Sequence, residues 1–116
     1  MTVVASVLVA LVAVLHLGFL VLEMFLWTAP VGRRTFGLDA DFAERSKALA
    51  ANQGLYNGFL AAGLGWGLVA DRTDVQVFFL ACVVVAGGYG AATVSSRILL
   101  VQALPAALAL AAVALA

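Results

Sequence analysis

Two ionisable side chains lie inside the first apolar run of this sequence. Glu23 is the single acid between Val3 and Trp27, and His16 precedes it by seven residues. On an α-helix that spacing puts both on roughly one face, about 10.5 Å apart along the axis. A carboxyl and an imidazole so placed can act as the acid and base of an isomerisation, or as two stations of a short proton path. A second group, Asn52, Gln53, Tyr56 and Asn57, crowds four hydrogen-bonding side chains into six residues at the start of another apolar run. Asn52 and Tyr56 are one turn apart, as are Gln53 and Asn57, so together they cover a broad helix face. Neutral donors and acceptors of this kind suit ligand binding, or the joining of one helix to another.

The setting for these groups is apolar. Of 116 residues, 66% are hydrophobic and 10% charged, with a mean hydropathy of +1.16. Globular proteins run near 45–50% apolar and 25% charged, and a soluble domain this small could not hide so much apolar surface. Lipid is the expected solvent. The formal net charge is zero, which gives no electrostatic case for nucleic acid. Cys82 is the single cysteine, so no internal disulfide is possible and no Cys/His cluster suggests a metal. It reads as a small hydrophobe. No phosphate loop, GxSxG or zinc signature appears, and Gly87-Gly88-Tyr89-Gly90 lies inside an apolar run, unsuited to nucleotide. Neither a metal nor a cofactor is expected.

The elements that must position the polar groups are helices, because lipid offers backbone groups no water. The expected fold is all-α, a four-transmembrane-helix bundle with a short amphipathic helix in the first loop. It forms one membrane domain, 1–116, with spans at about 3–27, 48–70, 75–94 and 98–116. The first segment lacks a basic n-region and a clear cleavage site, and is read as a retained helix rather than a signal peptide. Trp27 suits a membrane interface, with Pro30 and Gly32 ending that helix. In the first loop, Asp39 or Asp41 can cap the short helix, with Glu44 three residues after Asp41. Asp41–Arg45 and Glu44–Lys47 have helical pair spacings, and Phe42 and Leu49 share a face that suits the membrane surface. The second span cannot begin at Leu55, since Leu55–Ala70 falls short of the ~20 residues a bilayer needs. Starting near Ala48 draws Asn52, Gln53, Tyr56 and Asn57 into the membrane.

Of six Lys and Arg residues, Arg33, Arg34, Arg45, Lys47 and Arg97 fall in the first and third loops, and Arg72 alone in the second. Loops one and three should therefore be cytoplasmic and both termini outside. Thr93, Ser96 and Arg97, with Tyr89 deeper, then mark the cytoplasmic end of the third span. Gln102, just before Pro105, lies one turn into the fourth. With Glu23, these groups fall within about 15 Å of one interface, which suggests a polar cavity open to the cytoplasm. Its expected ligand-binding residues are Glu23, Asn52, Gln53, Tyr56, Asn57, Tyr89, Thr93, Arg97 and Gln102, and its candidate acid–base pair is Glu23 and His16. Blander readings stand beside this one. Glu23 can snorkel or pair with Arg97 or Arg33; His16 can be a neutral interhelical hydrogen bonder; the amides can be structural glue. Gly54/Gly58 and Gly63/Gly67 form GxxxG pairs and Gly87, Gly88, Gly90, Ala91 and Ala92 add small residues. These permit close helix packing, within the chain or between copies in a homo-oligomer.

Several blocks also carry a resemblance: His16 with Leu22-Glu23-Met24-Phe25-Leu26-Trp27, Phe36-Gly37-Leu38, Ala51-Asn52-Gln53-Gly54-Leu55-Tyr56-Asn57-Gly58-Phe59, Ala86-Gly87-Gly88-Tyr89-Gly90-Ala91-Ala92 and Gln102-Ala103-Leu104-Pro105. They resemble a bacterial family of small four-helix membrane proteins of unknown function, over almost the whole chain. The resemblance implies the architecture and a bacterial cytoplasmic membrane, and supplies no catalytic residue. Some members carry an epimerase label, which nothing in these residues supports. Three functional readings follow. One is binding or proton-coupled transport of a small or amphipathic ligand. In size and in its first-helix glutamate the chain is similar to small multidrug-resistance exporters, but it lacks their motifs. Another is an intramembrane isomerase or lipid-modifying enzyme using Glu23 and His16, similar in kind to the sterol isomerases. The third is a structural or accessory subunit. The first is preferred, and an enzyme is not.

Overall fold

Residues 2–116 are described by a computed structural model. They form α1 (Val3–Met24), α2 (Pro30–Phe36), α3 (Ala40–Val69), α4 (Thr73–Thr93) and α5 (Leu104–Leu115), the last entered through a π-helical turn at Leu99–Ala103. No strand occurs among the described residues. Two helices, α1 and α4, are long and apolar enough to cross a membrane. The chain divides into two compact units, one made of the stretch ending at Val14 with Leu60–Ala116, the other of Leu15–Phe59.

The first unit holds an apolar core. Ala5, Val9 and Val12 of α1 fall at helical spacing, as do Ala106, Ala109 and Val113 of α5, and they close on Leu64, Leu80 and Val83. Thr2 accepts the Ala5 N–H at 3.0 Å and so caps α1. Glycines set how closely the helices approach. A Cβ on Gly63 would lie 2.3 Å from the Phe79 ring, and one on Gly87 would lie 2.7 Å from the Ala103 backbone nitrogen. The turn between α3 and α4 is closed by Asp71 at φ 51°, a left-handed conformation that Asp tolerates better than most residues. Arg72 then forms a two-pronged pair with Asp74, at 2.9 and 2.7 Å, and its guanidinium lies over the Trp66 ring. Those hydrogen bonds and the Asp74 charge push the Arg72 pKa upward from its ordinary value.

The π turn has a local cause. Pro105 has no N–H for the carbonyl four residues back, which would be costly to leave bare in an apolar setting. Just before it the helix widens, and Leu104 N–H reaches back five residues to the Leu99 carbonyl. The fourth apolar segment is therefore one helix with a wide turn at its start.

The second unit departs from the expected short loop helix. Pro30 begins α2 rather than merely ending α1, and Gly37, at φ 67°, closes α2 in the left-handed conformation. Asp39 caps α3, accepting the Phe42 N–H at 2.7 Å. From Ala40 onward there is no Gly or Pro until Gly54. The amphipathic turns, with Arg45–Asp41 and Lys47–Glu44 pairs, therefore run unbroken into the apolar part of α3. Glu44 is spent on Lys47, at 2.5 Å.

Candidate functional site

The central feature of the second unit is a hydrogen bond between Asn57 Nδ2 and Glu23 Oε1. The sequence builds it from two matching triads. Leu20, Glu23 and Met24 lie at i, i+3 and i+4 on α1; Gly54, Asn57 and Gly58 have the same spacing on α3. The glycines are notches for the flanking apolar side chains. A Cβ on Gly54 would meet Met24 Cγ at 2.6 Å, Glu23 Cβ at 3.1 Å and the Leu20 carbonyl at 3.2 Å. One on Gly58 would meet Leu20 Cδ1 at 2.6 Å. With both notches filled, the Asn57 amide is brought up to the Glu23 carboxyl.

Asn57 is buried, at 4% exposure, and Glu23 is half-buried. Of the four polar residues on this stretch of α3, Asn57 lies on the buried stripe with Ala50, Gly54, Ala61 and Leu64, while Asn52, Gln53 and Tyr56 are exposed. The stripe follows the i, i+4, i+7 rhythm of one helix face, and the other three positions fall off it. Tyr56 rests edge-on against Phe59. His16 is fully buried on the Glu23 helix and meets the Phe19 ring edge-on, with centroids 5.2 Å apart.

In the first unit, Tyr89 and Thr93 are exposed near the end of α4, with the Thr93 hydroxyl donating to the Tyr89 carbonyl at 2.7 Å. Arg97 is exposed, and Gln102 is half-buried within the π turn. A shallow apolar groove runs along α4 past Phe78, Ala81, Cys82, Val85, Ala86 and Tyr89. Cys82 is a free, half-buried thiol there.

Two polar contacts have no counterpart in the reading of the sequence. Gln76 is fully buried, and its Nε2 donates to the Gly67 carbonyl at 2.8 Å. Three residues into the apolar α4, it looks like an interfacial residue; only the glycine nine positions earlier hints at a side chain folded over the turn. Trp27 Nε1 donates to Ser46 Oγ at 3.0 Å, a pairing that no spacing rule announces. No group of three or more His, Cys, Asp or Glu among the described residues is arranged to hold a metal.

The described residues form an all-helical fold, and two of their helices are long and apolar enough to cross a membrane. The chain belongs to the family described as "Protein of unknown function (DUF1304)", whose model matches residues 10–114. It is similar to the uncharacterised protein YpaA of Lactococcus lactis subsp. lactis (strain IL1403), with 30% identity over 106 residues, covering 88% of this chain and 89% of that protein. No solved structure matches.

Proposed function

We propose that this chain is a four-helix integral protein of the bacterial cytoplasmic membrane, with both termini outside. In this reading it binds a small or amphipathic ligand beside Glu23 and couples that binding, or the ligand's movement, to a proton. Four helices follow if the apolar part of α3 and the Leu99–Leu115 helix cross alongside α1 and α4; in favour, each is apolar apart from the polar residues already placed. The observation that carries the functional reading is the Glu23–Asn57 hydrogen bond. Ionisable groups within membrane helices are costly and are functional candidates by default. A neutral amide can donate to the carboxyl whether or not a proton is bound, and unlike Arg or Lys it adds no full charge that favours the carboxylate. Glu23 is thus held in place without being locked into one charge state. The exposed Asn52, Gln53 and Tyr56 on the same stretch of α3 supply polar contacts for a ligand.

The test separates charge from architecture. Glu23→Gln keeps an acceptor for Asn57 but removes the titrating group. Ligands are first found by thermal stabilisation of the purified wild type against a panel of amphipathic cations, anions and neutral lipids. Binding is then followed across pH for wild type, Glu23→Gln and His16→Ala. The expected result is a flat profile for Glu23→Gln with the fold intact, and an altered one for His16→Ala. Identical profiles for all three proteins would leave a structural bundle.

A further inference from the structure

We propose that α2 is a seat for an anionic phospholipid, with Arg33 and Arg34 holding the headgroup phosphate. The proposal rests on the reading that the apolar helices cross a bilayer, and it does not involve the Glu23 site.

The first observation is that α2 is fixed. A Cβ on Gly32 would lie 1.9 Å from the Leu26 carbonyl oxygen, so the α2 backbone is pressed onto the chain that leaves α1. Trp27 packs on Phe36, with ring centroids 4.9 Å apart, while its indole N–H is held by Ser46. The two consecutive arginines therefore stand on a helix packed against its neighbours, Arg33 half-buried and Arg34 exposed.

The second observation concerns charge. The segment from Arg33 to Lys47 carries four basic and three acidic side chains: Arg33, Arg34, Arg45 and Lys47 against Asp39, Asp41 and Glu44. Asp41 is taken by Arg45 at 3.0 Å and Glu44 by Lys47 at 2.5 Å. Asp39 is occupied as the cap of α3. The acids are thus spent along the first turns of α3.

The third observation is an orphaned donor. Arg33 Nε is shut off from solvent and has no hydrogen-bond acceptor among the described residues. Arg33 as a whole is only half-buried, so a headgroup can approach the rest of its guanidinium, and an acceptor of full negative charge suits it. Guanidinium geometry fits the paired oxygens of a phosphate.

The surroundings favour lipid over soluble phosphate as its source. Phe25, Val31 and Phe36, on and beside α2, are 71%, 40% and 37% exposed. Apolar side chains next to arginines suit the boundary between headgroups and acyl chains, where interfacial helices lie. A soluble anion gains nothing from them.

The protein is reconstituted in phosphatidylcholine vesicles with trace spin-labelled phosphatidylglycerol or phosphatidylcholine, and the protein-bound fraction of each probe is compared. Wild type should prefer phosphatidylglycerol, by up to about fivefold per arginine at low salt. The preference should shrink as salt is raised. Arg33→Gln/Arg34→Gln should bring it to parity, and exposed Arg34→Gln alone, which leaves the buried contacts untouched, should reduce it. Arg45→Gln/Lys47→Gln should retain it. Parity in wild type, or an unchanged preference in both arginine variants, would overturn the proposal. So would loss of the preference when inorganic phosphate replaces chloride at constant ionic strength, which would make the site one for a soluble anion. Carbonate extraction is run first: wild type released from the vesicles would overturn the membrane reading and this proposal together, whereas the other adverse results overturn this proposal alone.

Discussion

Two buried carboxamides, one in each unit, show how similar means serve different ends. Asn57 lies between two glycine notches on its own helix, Gln76 fills the notch at Gly67 on another, and each donates one N–H. Asn57 gives it to a side chain on another helix, thirty-four residues away in sequence; Gln76 gives it to a backbone carbonyl nine residues away. The Gly67 carbonyl also accepts the Arg72 N–H at 2.9 Å, so it receives two donors at the turn between α3 and α4. A backbone carbonyl cannot take up a proton or be exchanged. The Gln76 bond is architecture. The Glu23 carboxyl can gain or lose a proton while Asn57 stays in place, so that bond can be both architecture and chemistry.

The largest expected effect breaks the architectural member. A Cβ on Gly67 would lie 2.7 Å from Gln76 Cγ and 3.2 Å from the Gln76 backbone nitrogen. Gly67→Ala must displace both the side chain and the start of α4, which opens the Gln76 bond as well. Overpacking and a buried amide left unpaired together cost about 3 kcal/mol. Thermal melting in detergent should show a large fall, with no dependence on pH specific to Glu23. A melting temperature equal to wild type would remove the Gln76 bond from the stability of this turn.

A smaller effect sharpens the contrast. If both helices lie in a bilayer as proposed, a double-mutant cycle on Glu23→Ala and Asn57→Ala should give a coupling of about 0.6 kcal/mol and at most about 1.7 kcal/mol. The modest size is expected because the unfolded chain in lipid finds other partners. Additive single effects would show that the two side chains do not act as a pair.

The helical class and the polar residues were legible in the sequence, because composition and apolar run length suffice for the first and rarity in an apolar run for the second. The glycine spacing announced close approach, but not which neighbour fills each notch. Gly54 and Gly58 receive Leu20 and Met24, while Gly63 and Gly67 receive Phe79 and Gln76. That choice depends on side-chain directions that one sequence does not encode locally. The same holds on α3, where Asn52, Gln53, Tyr56 and Asn57 read as one broad inward face; the structure gives the buried stripe to Asn57 and exposes the other three. Periodicity resolves a face to about one residue in four, and which four depends on the partner helix. In the first loop, Pro30 read as a stop signal and is the start of α2, because proline's fixed φ fits either role.

An effect that stays below the upper bound of the Glu23–Asn57 coupling, and is opposite in sign to Gly67→Ala, concerns glycines with open space beside them. A Cβ added at Gly65 or at Gly88 would meet nothing within 4 Å, in contrast to Gly63 and Gly67 on the same helix as the first, and Gly87 beside the second. Within one chain, then, these two positions carry the entropic cost of glycine in a helix without gaining a close contact from it. Gly65→Ala and Gly88→Ala should each raise stability by about 0.5–1 kcal/mol, opposite in sign to Gly67→Ala. The measurement is melting of the monodisperse protein in detergent, repeated over a wide range of protein concentration. If a substitution lowers the melting temperature, and does so more at high concentration, the notch is occupied by a second copy and the glycine is explained by self-association. A concentration-independent gain in stability at both positions would mean that close packing is confined to the notches already filled within the chain.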